Sequence, residues 1–297
     1  MIYQEISSNK RNSVLLVMIF IAVLIGIGYI FSMAQGDKMY SGVWIAIIIS
    51  LIMTSVSYFS GDKIALAMSG AKPIAHDDNK YVYHFVENLC IANGQSMPKI
   101  YIIEDQAINA FATGRKPELA SIAITTGAIS KLTNEELEGV IAHELSHIKN
   151  YDIRFMMLVA VLVGAIAMMS DIFIRTRLFR GSRDDNRGSG NAGAIFMIVG
   201  IILAILSPLI AELIKLAISR RREYLADASG ALLTRYPEGL AKALEKIAAD
   251  HTPMQRASSA TAHLFIANPF SGKKMSSLFS THPPIEERIK RLRTMGN

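Results

Sequence analysis

The sequence predicts a mostly helical α+β membrane protein, in which four hydrophobic helices accompany a folded domain with a small β-sheet. Composition is the first observation, because hydrophobic residues make up 51% of the 297 residues and the mean hydropathy is +0.30. A large share of these residues is concentrated in four long apolar runs, which is the second observation. The segments between the runs combine helical periodicity with short strand-like stretches, and this third observation predicts the α+β part.

The four apolar runs are each near or above the length that crosses a hydrocarbon core as a helix. They cover residues 14–34, 43–59, 155–174 and 192–218. We predict that the first two runs span the membrane. A cleaved signal peptide is disfavoured for the first, because that run is longer than a normal h-region. The length of the third and fourth runs predicts that both cross fully. The arginine-rich loop between them would then lie outside, against the rule for basic residues, so a hairpin that does not cross completely is the alternative.

Basic residues predict which side of the membrane the chain ends face. Lys10 and Arg11 precede the first run, and the arginines at 220–222 adjoin the fourth, so both ends are predicted to be cytoplasmic. The only cysteine, Cys90, excludes an internal disulfide and suits a reducing compartment. Nucleic-acid binding is disfavoured, because the basic residues cluster beside apolar runs without interleaved aromatic residues.

Without the apolar runs, two segments remain, and they are predicted to fold together as one domain. Residues 61–154 form its first half and residues 219–297 its second, with residues 1–60 as a two-span anchor and residues 155–218 as a hydrophobic helical hairpin. The first half is predicted to contain a helix, then strands, at residues 81–91, 99–103, 108–113 and 121–125. The second half is predicted to be helical, with helices around residue 223, over 237–249 and after 284.

The end of the first half is predicted to be an amphipathic helix. Thr133-Asn134-Glu135-Glu136 has the form of a capping box, which begins a helix by satisfying its first backbone N–H groups. An apolar stripe follows at helical spacing, formed by Leu137, Val140, Ile141, Leu145 and Ile148. The residues that follow the cap are therefore predicted to lie on a regular helix with one face in the core.

His143, Glu144 and His147 form the pattern H-E-x-x-H within this helix. Residues four apart lie on the same helical face, so both imidazoles can bind one zinc ion. Glu144 can point towards the open coordination position and accept a proton from water there. These residues predict a zincin-type catalytic domain rather than two chance core histidines.

A catalytic zinc site typically has three protein ligands, and Glu223 is the predicted third. Glu223 and Asp227 are four apart on a predicted helix, so they face the same way. Asp227 is placed to hold the second ring nitrogen of either His143 or His147. The alternative for Glu223 is that it neutralises the arginine run before it. No third histidine follows at the spacing of the metzincin pattern, which favours a His-His-Glu site.

Two other classes of protein compete with a hydrolase. A zinc-binding module without catalysis, such as a sensor or scaffold, is disfavoured, because a purely structural site is expected to close with a fourth ligand. A metal transporter is disfavoured, because transporters place their ligands within spanning helices near the midplane. Here the histidine pair precedes the third apolar run and Glu223 follows the fourth. We therefore predict metal-assisted hydrolysis of peptide bonds.

These features resemble the HtpX family of membrane-bound zinc peptidases, which are gluzincins related to the type I CAAX prenyl proteases. The resemblance covers nearly the whole chain, including the two early spans, the H-E-x-x-H helix, the second hydrophobic pair and the Glu223 to Asp227 segment. Residues 109–114 (NAFATG) are similar to the family's edge strand above the metal. Residues 281–284 (THPP), with Arg288 beyond them, are similar to its C-terminal motif.

The resemblance implies a multi-pass endopeptidase of the bacterial inner membrane, with its catalytic domain facing the cytoplasm and one zinc ion per chain. Its substrates would be misfolded or damaged membrane proteins, and possibly cytoplasmic ones, degraded in quality control under stress. No nucleic-acid partner is expected.

The resemblance also gives roles to residues outside the metal site. An edge strand can take up an extended substrate as another strand, so Asn109 and Ala110 would bind the substrate. The alternative is an ordinary strand with Asn109 in a turn. His282 and Arg288 would act in catalysis by stabilising the oxyanion. Alternatively, His282 caps the helix that follows it and Arg288 is solvated.

Overall fold

The fold is taken from a computed structural model that describes residues 2–34, 37–164, 220–270 apart from 257 and 259, and 283–295. The fourth apolar run, the arginine-rich loop and His282 lie outside the described residues. Full spanning by the third and fourth runs and a catalytic role for His282 therefore stay predictions. The third run is described as far as residue 164 and is helical there.

Two long helices begin the fold, α1 (Ile2–Ala34) and α2 (Ser41–Met68). Both are long and apolar enough to cross a membrane, and less than a third of each span is buried within the protein. Large apolar side chains such as Val14, Trp44 and Phe59 are exposed along them. This exposure distinguishes them from the core helices of a soluble protein and suits contact with lipid. Helix α2 continues past the predicted domain boundary at residue 60.

A four-stranded mixed sheet forms the first half of the domain. Its strands are β1 (Ala71–Pro73), β2 (Lys99–Ile103), β3 (Ala110–Thr113) and β4 (Ser121–Thr125), in the order β1-β2-β4-β3. The central pair β2 and β4 is parallel, and both outer pairs are antiparallel. The predicted bounds of β2 and β4 are confirmed, whereas β3 begins at Ala110 rather than at residue 108. Strand β1 was not predicted from the sequence.

The helices of the domain come from the described residues before and after positions 165–219. They are α3 (Lys80–Asn93), α4 (Thr126–Lys131), α5 (Asn134–Lys149), α6 (residues 152–164), α7 (Arg220–Thr234), α8 (Pro237–Ala249) and α9 (Ile285–Met295). Helix α3 packs through Val82, Val86, Leu89 and Cys90, so the single cysteine of the chain is buried. It ends at Gly94, whose φ of 59° gives the left-handed turn that glycine adopts without strain.

Helix α5 is the centre of the domain, and all five residues of its predicted apolar stripe are buried. The predicted capping box is present, because the Thr133 side chain accepts from the Glu136 backbone N–H and the Glu136 carboxylate accepts from the Thr133 backbone N–H. The helix therefore starts where the sequence predicts, which fixes the rotation of the two histidines.

Small residues let the second half of the chain approach α5 closely. A Cβ atom on Gly230 of α7 would lie 3.0 Å from the backbone nitrogen of His143. A Cβ atom on Gly139 of α5 would lie 2.7 Å from the backbone nitrogen of Leu240 on α8. Because these contacts have no room for a side chain, α7 lies directly against the turn of α5 that carries His143.

Candidate active site

His143, His147 and Glu223 meet at one point between α5 and α7. The two Nε2 atoms of the histidines are 3.1 Å apart. The Glu223 carboxylate lies 3.8 Å from His143 Nε2 through Oε2 and 3.5 Å from His147 Nε2 through Oε1. All three residues are buried, and their potential ligand atoms lie within 4.8 Å of one another. The structure therefore brings together the three predicted metal ligands.

These distances fit a small tetrahedral metal site. Zinc–ligand bonds of 2.0–2.2 Å at tetrahedral angles place ligand atoms about 3.3–3.5 Å apart. Glu144 Oε1, beside these three residues, is buried without a hydrogen-bond partner in the described part of the chain. Unsatisfied buried carboxylate oxygens are costly unless a cation or water satisfies them. The three-residue group could thus hold a metal ion, with Glu144 beside it.

Glu144 lies next to the cluster formed by His143, His147 and Glu223, and its carboxylate contacts the sheet. It is 1% exposed and accepts a hydrogen bond from the backbone N–H of Ala112 on β3. Burial raises the pKa of the Glu144 carboxyl, although the nearby histidines oppose the rise. A carboxylate with a raised pKa is a better proton acceptor near neutral pH.

Asp227 and Arg288 support His143 from the Nδ1 side of its ring. His143 Nδ1 lies 2.9 Å from Asp227 Oδ1, which leaves Nε2 free to face the cluster. Arg288 donates to both carboxylate oxygens of Asp227, through Nη2 at 2.7 Å and Nε at 2.9 Å. Burial raises the pKa of Asp227, but Arg288 and His143 outweigh it and hold that pKa well below its usual range. Asp227 therefore pairs with His143, one of the two partners that the spacing allowed.

The described contacts of Arg288 are with protein groups. Its side chain is fully buried, and besides Asp227 it donates from Nη1 to the carbonyl of Ile266 at 3.3 Å. Nη1 also lies 3.6 Å from Glu223 Oε2. These contacts show how Arg288 holds Asp227 in place; its predicted contact with an oxyanion stays a prediction.

Asp152 is a residue of the site that sequence reasoning missed. Its Oδ2 lies 2.9 Å from His147 Nδ1, the counterpart of the contact between Asp227 and His143. The chain reverses after α5 at Tyr151, whose φ is 61°, so Asp152 at the start of α6 returns to the histidine. A left-handed tyrosine has no clear sequence signal, and the spacing from His147 to Asp152 does not match a helical face.

The carboxylates around His147 favour positive charge in the cluster. Burial opposes the imidazolium form, but the hydrogen bond to Asp152 and the charges of Glu223 and Glu144 raise the pKa of His147 to about 9. A group of carboxylates that stabilises a buried imidazolium also stabilises a metal cation at the same place.

The outer edge of β3 passes over the cluster and is already paired. Phe111 forms an antiparallel bridge with Phe265, and the Ile266 N–H donates to the Ala110 carbonyl at 2.9 Å. The Asn109 amide continues this pattern, because its Nδ2 donates to the Ala267 carbonyl at 3.1 Å. Residues 265–267 therefore occupy the backbone and side-chain groups that were predicted to bind a substrate.

Comparisons with known proteins relate the chain to a family of peptidases. The model of "Peptidase family M48" matches residues 76–296. A "Protease HtpX homolog" from Tropheryma whipplei (strain Twist) is 44% identical over 297 residues, covering 100% of this chain and 99% of that protein. A protein of the same description from Dictyoglomus turgidum is 45% identical over 295 residues, covering 99% of this chain and 95% of the relative.

The fold is also similar to a solved structure. The crystal structure of Ste24p from S. mikatae matches with a TM-score of 0.50 at 19% sequence identity, over 90% of this chain. This chain spans only 62% of that protein, and the likeness concerns the fold alone. With the two candidate spans, the relatives indicate a membrane protein. The family match and the full-length relatives show that the chain belongs to peptidase family M48 and is a metalloprotease.

Proposed function

We propose that this chain is a membrane-bound, zinc-dependent endopeptidase of the HtpX type. The observation that carries the proposal is the convergence of His143, His147 and Glu223 beside Glu144, a carboxylate with an oxygen free to accept a proton. His143 and His147 lie in the described H-E-x-x-H helix, and Glu223 comes from α7, which packs directly on it.

Zinc fits this donor set better than the harder divalent cations. Two imidazoles and one carboxylate suit zinc, whereas calcium and magnesium prefer sites made of oxygen ligands. Three protein ligands also leave a fourth position open, which is typical of catalytic zinc sites. When bound, zinc would lower the pKa of water at that position and polarise the substrate carbonyl.

Residues of the chain transfer the proton in peptide hydrolysis and position the groups that take part in it. Glu144 accepts a proton from the attacking water on its unpaired Oε1 and delivers it to the nitrogen of the leaving amine. Asp227 and Asp152 each hold one imidazole through Nδ1, so that both Nε2 atoms face the same point. The Ala112 N–H fixes the carboxylate of Glu144 relative to the edge strand.

The proposed substrates are misfolded or damaged membrane proteins, and possibly cytoplasmic ones, degraded in quality control under stress. The likeness to the HtpX family supports this substrate class. The position of the site also supports it, because Asn9 of the candidate span α1 lies within 2.6 Å of Asp152 beside the cluster. A site next to the end of a span can reach polypeptide that emerges from the membrane.

A cleavage assay on an unfolded protein tests the proposed activity. The full-length chain in detergent should cleave the substrate, stop when a chelator removes zinc, and recover when zinc is restored. The Glu144→Gln variant should lose most of its cleavage activity with zinc present. Cleavage that continues at full rate in the chelated protein would rule out the proposal.

Substrate binding is proposed at the outer edge of β3, through Asn109 and Ala110. An extended peptide would pair with the Ala110 carbonyl and the Asn109 amide as an added strand. Because the backbone of residues 265–267 uses the same groups, substrate must displace this segment. Substrate and segment therefore compete for one edge.

A disulfide that links residues 265–267 to β3, and that can be reduced again, tests whether this segment competes with substrate. The Phe111–Phe265 bridge places Ala110 opposite Ile266, and such pairs have Cα atoms about 5.5 Å apart, within the reach of a disulfide. With Cys90 replaced by Ala, Ala110→Cys combined with Ile266→Cys should cleave substrate when reduced and lose cleavage when oxidised. Equal rates in both redox states would mean that substrate binds elsewhere.

Both halves of the domain are proposed to face the cytoplasm, with the chain crossing the inner membrane several times. The positively charged residues that flank the apolar runs support this orientation. The Asp37 to Tyr40 turn between α1 and α2 would then lie on the opposite side.

Cysteine labelling in intact cells tests this topology. In a Cys90→Ala background, single cysteines at Lys80 and Lys290, both exposed, should be protected from an impermeant maleimide. A cysteine at Lys38 should be labelled. Labelling of only one of the two domain positions would be incompatible with His143 and Glu223 sharing one side of the membrane.

A further inference from the structure

A buried chain of polar groups connects the N-terminal helix to a metal-ligand histidine. Asn9 on α1 donates from Nδ2 to Asp152 Oδ1 at 2.6 Å and to the Asn150 carbonyl at 3.0 Å. The other oxygen of Asp152 lies 2.9 Å from His147 Nδ1. At the other end of this series of polar groups, Arg222 Nη1 lies 3.5 Å from Asn9 Oδ1. Asn9 and Asp152 are 2% and 1% exposed.

The hydrogen bonds that His147 and Asn9 make to residue 152 require a carboxylate at that position. With Nε2 of His147 facing the cluster, its Nδ1 carries the proton and donates to Asp152. Asn9 donates to the second oxygen, so Asp152 receives donors on both sides. An amide has an NH₂ group in place of one of these two oxygens, so it would face one of the two donors with a donor of its own. Because the group is buried, water does not replace a lost partner, and each mismatch is costly.

Further contacts fix α1 at this place. Lys10 Nζ lies 4.2 Å from the centre of the Tyr151 ring, over the turn that leads to Asp152. One apolar cluster joins the same face of α1 to α6, with Leu16, Phe20 and Leu24 packed among Phe155, Leu158, Val159 and Leu162. Asn9 is therefore held against Asp152 by the packing of the helix that carries it.

We propose that Asp152 and Asn9 are positioning residues for His147, so that the first candidate membrane span takes part in metal retention. Asp152 sets the orientation and tautomer of the imidazole, and Asn9 holds Asp152 in place. The inference rests on the proposed function in one respect, because it requires that His147 binds a metal. It adds to that function a dependence of the metal site on the docking of α1.

Metal affinity of the full-length chain in detergent tests the inference. Zinc affinity is measured by competition with a chromogenic chelator, and the ligand geometry by the visible absorption of Co²⁺ bound in place of zinc. Asp152→Asn should weaken zinc binding by about 10- to 100-fold, the usual effect of losing a group that orients a ligand. Asn9→Ala should weaken it in the same direction by a smaller factor, and both variants should change the Co²⁺ spectrum.

Asn12→Ala is the matched control on the same helix. Asn12 donates to the Ser8 hydroxyl within α1, and among the described residues it makes no hydrogen bond to the turn at Asp152. This variant removes an amide from α1 without touching the chain to His147, so zinc affinity and the Co²⁺ spectrum should equal those of the parent. Thermal unfolding of each metal-free variant shows whether the fold is kept.

A rescue experiment separates positioning from general destabilisation. When Asn9→Asp is combined with Asp152→Asn, the amide at position 152 can accept from His147 while donating to the carboxylate at position 9. The double variant should recover part of the lost zinc affinity. Recovery is partial because the new carboxylate faces the Asn150 carbonyl.

The outcomes distinguish this inference from the function on which it rests. If the parent chain binds no metal, the proposed function fails. If the parent binds zinc and Asn9→Ala binds it equally well with an unchanged Co²⁺ spectrum, the inference is overturned. Asn9→Ala decides the matter even if Asp152→Asn fails to fold, because it leaves both oxygens of Asp152 and its contact with His147 in place.

Discussion

Glu144→Gln should reduce peptide cleavage by about 10²–10⁴-fold, the usual contribution of general acid–base catalysis. Glutamine has the same size and can still accept the Ala112 N–H, but it cannot take up a proton from water. The replaced oxygen, Oε1, has no hydrogen-bond partner among the described residues, so no existing bond is broken. Zinc content and thermal stability should therefore stay close to those of the parent.

Cleavage kinetics and elemental analysis of the same preparation measure this effect. Glu138→Gln is a suitable control, because it removes a half-buried carboxylate from the same helix on a face away from the cluster. The control should cleave at the rate of the parent. If Glu144→Gln retained activity at full zinc occupancy, Glu144 would not be the proton acceptor.

The elements closest to the site could be predicted from the sequence because their signals are local. A capping box and an apolar stripe define α5 within 16 residues, and both depend only on neighbours one to four positions away. Glu223 and Asp227 could be predicted for the same reason, since residues four apart share a helical face. The meeting of α5 with α7 then followed from the chemistry of a shared metal.

Other parts of the site depend on contacts between distant residues. Which histidine Asp227 holds is decided by the rotation of α7 on α5, and that rotation is set by the close approach at Gly230. Asp152 reaches His147 through the left-handed Tyr151, a backbone conformation that tyrosine seldom adopts. The pairing of residues 265–267 with β3 joins segments about 150 positions apart. Local sequence patterns carry no information about such pairings.

Glu223→Ala should lower zinc affinity by more than the 10- to 100-fold that follows from losing a residue that only orients a ligand. The change removes one of three groups whose atoms converge within 4.8 Å, and two histidines alone leave the ion with half of its tetrahedral positions unfilled by protein. Cleavage should fall with zinc occupancy and recover in part at high zinc concentration.

Asp227→Asn should have a smaller effect on zinc affinity than Glu223→Ala, because Asp227 contacts His143 on the Nδ1 side of the imidazole and does not reach the metal position. The variant should weaken zinc binding by about 10- to 100-fold. Glu238→Ala, which removes a carboxylate from the start of α8, should leave zinc affinity unchanged. Competition with a chromogenic chelator ranks the three variants on one scale. If Glu223→Ala bound zinc as tightly as the parent, the third ligand would have to lie elsewhere. The carboxylate of Glu223 would then act only as a counter-charge to Arg288, whose Nη1 lies 3.6 Å away.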